Sequence, residues 1–596
     1  MRRQNLMFVL PLLAVAVMAL VACSDAGPAP WSPIKARDGG TSVEGGSFFE
    51  AGAPPTGKFQ PKPVPELNTT AKSNSEPFYF YLFTHTEDPF NHELSEERYL
   101  RLVPEVAKVA KENPDAHLSW TIEFMGSDAN TVAERNPQTG VVDLIKEHMA
   151  DGVIEIGYHA HHDPNYQNRP QTQFTNNSSW EELVSGMDSW VSCRKDLAQG
   201  GCVSDTGGGV VTIQDIFGEA KLVSGLFTYN DMETDGPWAV HALRKYLPGR
   251  LLGFGFSDHS PKSKDPTRQA ALKALMTLMT PSVETSGSLV WIDDVIRMHD
   301  GDPLNDVTGV GLKEGKDFLA KKLAKVDRAR PHVLNVGIAS KYIYTPKGMS
   351  PTQYGYLNTA APQLKNPLSR QEIETNYQTA KTSLQYLAKD VVRDNPGTRF
   401  VGNDDLIQMV APAEYWQVSK DKLDVLARWL LLKWTDRPPA FVSDGTDFYS
   451  LRDLFILLAK AIASDYPQSV ELTFAYGPFE EVMDTDALGL DAADLKTAAK
   501  SITDTLAPTK QWQLTPKNTL TSTYQVGGQS LTVTQLLYAM AQLYASTVAN
   551  TPLNTFEVPA TQSMPETLAI MAGLSCTDRC QGTIWSLKPA RIRAPK

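Results

Sequence analysis

Hydrophobic patterning begins abruptly at Pro77. Phe78-Tyr79-Phe80-Tyr81-Leu82-Phe83-Thr84 is an aromatic-rich run of the kind that fills a strand. A helix-period pattern follows over residues 96–112, then a strand pattern at 117–124, a helix pattern at 141–149 and a strand pattern at 153–159. Further strand patterns lie at 222–228, 250–256, 288–292, 333–338 and 399–401, several of them preceded by helical periodicity. Alternation of this kind implies an α/β fold, a parallel sheet covered by helices. The number of units predicts an irregular or incomplete (β/α) barrel, in which chemistry sits at the C-terminal ends of the strands.

After about residue 412 long helical patterns such as 420–434 replace the alternation. All eleven histidines lie between His85 and His332, so chemistry that uses imidazole belongs to the first part. The second part carries an internal repeat. Residues 445–462 align with 527–544, and Leu451, Leu454, Phe455, Leu458 and Ile462 correspond to Val533, Leu536, Leu537, Met540 and Tyr544. Each set marks one helix face entered through an N-cap hydroxyl, Ser450 or Thr532. The expected organisation is a first domain over 77–412, a mainly helical repeat-containing domain over 413–575, and a tail over 576–596 with a cysteine pair.

Residues 24–76 are rich in Gly, Pro, Ser and charge without apolar periodicity, the composition of a disordered tether. Such a segment has an r.m.s. reach of roughly 40 Å. Upstream, Met1-Arg2-Arg3 and the apolar run 6–19, broken by Pro11, have the layout of a secretory signal. The run is at or below the roughly 20 residues that cross a bilayer. Leu20-Val21-Ala22-Cys23 resembles the lipobox of bacterial lipoproteins. That resemblance implies that residues 1–23 are a signal peptide with its lipobox cysteine and that Cys23 carries lipid. With Ser24 following, it implies an anchored protein at the outer membrane or cell surface.

A net charge of -12 leaves no basic stripe to neutralise phosphates, which argues against a nucleic-acid partner. With Cys23 set aside, the remaining cysteines fall into two local pairs, Cys193 with Cys202 and Cys576 with Cys580. In an oxidising compartment both are expected as disulfides.

Two clusters stand where strands end. Thr84-His85-Thr86-Glu87-Asp88-Pro89 follows the first strand, and Glu155-Ile156-Gly157-Tyr158-His159-Ala160-His161-His162-Asp163-Pro164 ends the third. Three histidines and an aspartate within five residues are hard to pack in a core, because each ring needs partners for two nitrogens. Imidazole and carboxylate at a strand end are instead the usual ligands of zinc or a similar divalent ion.

These residues resemble the polysaccharide deacetylases of the NodB-homology family over residues 77–412. Thr86-Glu87-Asp88-Pro89 falls on the family's first motif, and Ile156-Gly157-Tyr158-His159 with Pro164 on its second. The resemblance implies Glu87 as general base, Asp88 and His159 as metal ligands, and Asp163 at the second histidine position, with His161 a further candidate. It implies Asp258 for a later catalytic aspartate, and Pro396-Gly397-Thr398-Arg399-Phe400-Val401 as the closing strand. The third motif is not recognisable, although Asp215-Ile216-Phe217-Gly218 lies near its place, and the late leucine-x-histidine motif has no counterpart. His259 or His299 would have to supply its acid.

The implied function is removal of acyl groups from an envelope polysaccharide or peptidoglycan-like substrate. A surface glycan binder with a degenerate site is the alternative. His159, His161 and Asp163 also match the opening of the metallo-β-lactamase motif, but Pro164 stands where its next histidine belongs. A glycoside hydrolase built on Glu87 or Asp88 leaves the histidines unexplained. The repeats around Ser450 and Thr532 resemble the pseudomurein-binding repeats, which implies cell-wall targeting.

Overall fold

The structure, a computed structural model, describes residues 59–66, 76–86, 92–124, 126–159, 194–196, 201–203, 209–218, 222–224, 252–256, 289–292, 295–299, 309–324, 328, 331–338, 343–344, 368–410, 416–473, 475, 478, 483–506, 518, 520–561, 585, 588–589 and 593–595. The first part alternates strand and helix: β1 (Phe78–His85), α1 (His92–Glu112), β2 (Trp120–Phe124), α2 (Gly126–Thr139), α3 (Val141–Ala150), β3 (Ile154–His159), α4 (Gly209–Phe217) and β4 (Leu222–Ser224). It continues with β5 (Leu252–Phe256), β6 (Leu289–Ile292), β7 (Val295–His299), α5 (Lys313–Leu323), β8 (His332–Gly337), α6 (Arg370–Gln385), β9 (Arg399–Phe400) and α7 (Asn403–Val410).

Strands β8, β1, β2, β3 and β4 lie in that order in one sheet, and every pairing is parallel. The α/β expectation therefore stands, and among the described residues the strands do not close into a barrel. The supposed closing strand pairs only Arg399 and Phe400 with Tyr79 and Phe80, and β2 takes over the same edge of β1 from Leu82 onward. Strands β5, β6 and β7 form a second, mixed sheet.

Alternation decides what each face of the parallel sheet buries. Phe78, Phe80 and Leu82 of β1, Trp120, Ile122 and Phe124 of β2, and Ile154 and Ile156 of β3 share a core with α1, α3 and α6. The opposite face carries Tyr79, Tyr81, Thr121, Glu123 and Glu155, and its apolar members Tyr79, Tyr81 and Val333 belong to the core of the helical part. One face is a helix-covered apolar layer, the other mixed and polar.

The helical part is a duplication longer than the sequence shows. Repeat A runs β10 (Gln417–Ser419), α8 (Lys420–Lys433), the hairpin β11 (Val442–Ser443) and β12 (Phe448–Tyr449), α9 (Leu451–Ala463) and β13 (Ser469–Glu471). Repeat B runs β14 (Leu488–Asp491), α10 (Ala492–Thr505), the hairpin β15 (Thr523–Val526) and β16 (Gln529–Thr532), α11 (Val533–Val548) and β17 (Thr555–Val558). In each repeat the first strand pairs antiparallel with the last. Ser450 and Thr532 cap α9 and α11 through complete capping boxes, with Asp453 and Gln535 at the third position. The Lys460 ammonium donates to the Glu471 carbonyl at 2.6 Å, and Gln542 repeats this on the Glu557 carbonyl at 2.9 Å. Helix α8 packs on α11 and α9 on α10, an exchange expected of two units related by an approximate two-fold.

Two outlying segments also rest on repeat A. Phe59 and Val64, within the stretch read as tether, pack against the core that the two repeats share. Near the C-terminus β18 (Lys588–Pro589) pairs with β6, the Arg593 N–H donates to the Met409 carbonyl, and the Arg593 side chain pairs with Asp447.

Candidate functional site

The polar face of the parallel sheet gathers chemically capable side chains from several strands. Register sets Thr121 beside Glu155 and His85 beside Glu123, so β1, β2 and β3 bring their polar positions into adjacent rows. The Tyr81 hydroxyl lies 3.3 Å from Glu123 Oε1 and 3.3 Å from Asn403 Oδ1. Thr121 Oγ1 donates to Glu155 Oε2 at 3.4 Å, and the Asn403 backbone N–H donates to the same oxygen at 2.8 Å. Asn403 is the first residue of α7, so Glu155 answers one of the free N–H groups that every helix start presents. The preceding Gly402 makes room for it: a Cβ there would stand 2.6 Å from Glu155 Oε1.

Burial grades the two carboxylates. Glu123 is 1% exposed and Tyr81 4%, whereas Glu155 is half-buried. Burial, reinforced by the negative charge of Glu123, pushes the Tyr81 phenol well above its ordinary pKa. One phenolic hydrogen faces two acceptors, and among the described residues the fully buried Asn403 Nδ2 has no partner. Exchanging the amide nitrogen and oxygen lets Asn403 donate to Tyr81 and Tyr81 donate to Glu123. The amide oxygen then occupies the unpartnered position instead. In the exchanged orientation Tyr81 ties Glu123 to the start of α7.

Most of the residues expected from sequence lie outside the described residues. His159 ends β3, its backbone in register with Ser224. Glu87, Asp88, His161, Asp163, Asp258 and His259 lie outside the described residues, as do Cys23, Cys193, Cys576 and Cys580; Cys202 sits in a short strand opposite Lys195. Asp215, near the place of the third motif, is within helix α4. Among the described residues no group of three or more His, Cys, Asp and Glu side chains is arranged to hold a metal. Glu123, Glu155, Tyr81 and Asn403 were not singled out beforehand. Their only sequence signal was the polar phase of alternation, Thr121 and Glu123 set between Trp120, Ile122 and Phe124.

No family model matches the chain, and no curated protein does. Solved structures similar to it include a 4-alpha-glucanotransferase from Thermococcus litoralis, at 11% identity over 55% of this chain and 38% of that one, with a TM-score of 0.28. An alpha-mannosidase from Enterococcus faecalis V583 has 12% identity over 66% of this chain and 36% of that one, with a TM-score of 0.28. A glycosyl hydrolase family 38 protein from Enterococcus faecalis has 11% identity over 66% of this chain and 34% of that one, with a TM-score of 0.23. The chain thus spans less than two-fifths of the length of each. None of the three is a polysaccharide deacetylase. That resemblance is accordingly corrected; the roles it implied for Glu87 and Asp258 fall on residues outside the described ones. The likeness of the repeats to pseudomurein-binding repeats falls with it, since no family model matches.

Proposed function

We propose that the chain is an exported carbohydrate-active protein that works on a glycan at the polar face of its parallel sheet. The observation that carries this reading is the carboxylate pair of that face, Glu123 on β2 and Glu155 on β3, each held by hydrogen bonds from neighbouring elements. Cleavage of a glycosidic bond uses two such carboxyl groups, one as acid and one as nucleophile or base. Glu155, half-buried, is the member within reach of solvent. Thr121 and the start of α7 fix its orientation, which acid–base work requires.

The test is release of reducing ends from α-glucan, α-mannan and peptidoglycan by the purified protein. Glu155→Gln and Glu123→Gln should each lower turnover by about 100-fold or more. A loss under tenfold in both would remove the carboxylates from the chemistry. A second reading, glycan binding without turnover, is favoured by the near-complete burial of Glu123 and Tyr81. Binding without product release would select it.

The pattern of residues 1–23 supports the further proposal that lipid on Cys23 anchors the protein at the outer membrane or cell surface. Cys23→Ser should then move it to the soluble fraction. A divalent ion, zinc by donor type, is proposed for Asp88, His159, His161 and Asp163. Metal analysis of the purified protein tests that proposal independently of turnover.

A further inference from the structure

The segment Phe59-Gln60-Pro61-Lys62-Pro63-Val64-Pro65-Glu66 has proline at every second position from 61 to 65. Proline fixes its own backbone and pushes the residue before it to extended conformations, so this stretch is stiff before it touches anything. It also lacks N–H groups at its prolines, so what it offers a partner is carbonyl oxygen and apolar ring. Repeat A meets both. Arg428 of α8 donates from Nη1 to the Lys62 carbonyl at 3.1 Å and to the Pro63 carbonyl at 2.9 Å. Asp424, one turn back, holds the same guanidinium at 2.9 Å. Phe59 and Val64 pack against the core of the repeats. The turn between β11 and β12 closes the other end: Gly445, at φ +88°, lies so near that a Cβ would stand 3.1 Å from Pro65 Cβ and 3.2 Å from the Glu66 carbonyl.

Repeat B serves as an internal control. Aligning the N-caps Ser419 and Asp491 sets Val425, Arg428 and Trp429 of α8 against Thr497, Lys500 and Ser501 of α10. All three counterparts are exposed, and Lys500 pairs with Asp504 on the surface. One copy of the duplicated helix thus carries apolar residues and a fork-shaped donor on the face where the other is polar and solvated.

We infer that repeat A contains a recognition site for proline-rich extended peptide, occupied in cis by residues 59–66. The mode is that of grooves that read a preformed, low-entropy proline helix. Residues 59–66 are thereby fastened to the body at α8.

The test uses the full chain and a fluorescent peptide with the sequence of residues 58–67. Phe59→Ser with Val64→Ser weakens the cis segment without altering its seat, and this variant should bind the peptide at least tenfold more tightly than the unaltered protein. Adding Arg428→Ala should weaken that binding at least tenfold. Equal binding to the two proteins, indifference to Arg428→Ala, or no binding to the released variant would overturn the proposal. Cleavage after Glu66 by a glutamate-specific protease gives a readout that needs no peptide. It should be slow in the unaltered protein and at least tenfold faster in Arg428→Ala, and equal rates would also overturn it.

Discussion

Glu155 and Asn403, far apart in sequence, meet where the Asn403 backbone N–H donates to the Glu155 carboxylate at 2.8 Å. The contact joins the third strand of the sheet to the helix after its last short strand. It depends on the missing side chain between them, since a Cβ on Gly402 would stand 2.6 Å from Glu155 Oε1. Gly402→Ala should displace the carboxylate and cost about 1–3 kcal/mol, the usual range for overpacking. Gly489, where an added Cβ meets nothing within 4 Å, provides the control. Gly489→Ala should be neutral or slightly stabilising. Denaturant midpoints for the two variants check this, and equal midpoints would refute the crowding at Glu155.

The Tyr81 phenol predicts a loss of stability in alkali. Burial and the charge of Glu123 push its pKa well above 10.0, and burial lifts Tyr79 to about 12 against the opposing pull of Arg399. The folded protein keeps these protons at a pH where the unfolded chain releases them. The resulting stability is fully present below about pH 10 and is lost as pH rises through the folded values. Denaturant midpoints should be flat from neutrality to about pH 9 and fall above about pH 10. Tyr81→Phe should cost about 1–3 kcal/mol at neutral pH, because Glu123 and Asn403 lose the buried hydroxyl they share. It should also remove Tyr81's share of the alkaline fall, leaving that of Tyr79, and an unchanged slope would disprove the assignment to Tyr81.

Elements with strong local signals were legible in the sequence, and contacts between distant segments were not. The aromatic run at 78–84 and the pattern at 153–159 became β1 and β3 within a residue at each end. The strand expected at 117–124 starts only at Trp120, because Pro114–Ala116 forms a short 3-10 turn and His117 adopts a left-handed φ of 47°. Helix α2 was missed: it contains Pro137, and Ala129 and Val132 are its buried apolar residues, too few to show a period. Among the described residues the sheet stays open where a closing strand was expected, because Arg399 and Phe400 supply only two residues of pairing. Glu123 was visible as a polar phase between buried Trp120 and Phe124, but the histidine cluster drew the chemical reading elsewhere. Asn403 carried no signal at all, since what makes it matter is a fold that returns it to β1 and β3.

The duplicated caps give a paired prediction. Ser450 accepts from the Asp453 N–H at 3.1 Å and Thr532 from the Gln535 N–H at 3.2 Å, each opening a buried helix. Ser450→Ala and Thr532→Ala should therefore cost similar amounts, about 1 kcal/mol each. Their effects should add in the double variant, because each hydroxyl satisfies its own helix start. Thermal unfolding of the three variants measures this, and strong non-additivity would show that the caps are coupled through the α9–α11 contact.

The third position of the two capping boxes should behave very differently. Gln535 returns a neutral hydrogen bond to the Thr532 N–H at 3.0 Å. Asp453 does the same for Ser450, and it also pairs with Arg452 at 3.0 Å and with Lys588, from the C-terminal segment, at 3.2 Å. All three side chains are at most 2% exposed, so the carboxylate is a counter-charge to two cations largely withdrawn from water. Gln535→Ala removes the cap bond and the donation from Gln535 Nε2 to the Asp486 carbonyl, two neutral hydrogen bonds, and should cost about 1–2 kcal/mol. Asp453→Ala leaves two buried cations without that partner and should cost about 3–5 kcal/mol, the range for breaking a buried ion pair from one side. Lys588→Met keeps the cap and the Arg452 pair while matching the volume of the lost side chain, and it should fall well below Asp453→Ala. If Lys588→Met proves as damaging as Asp453→Ala, the C-terminal segment rather than the cap dominates the stability of repeat A.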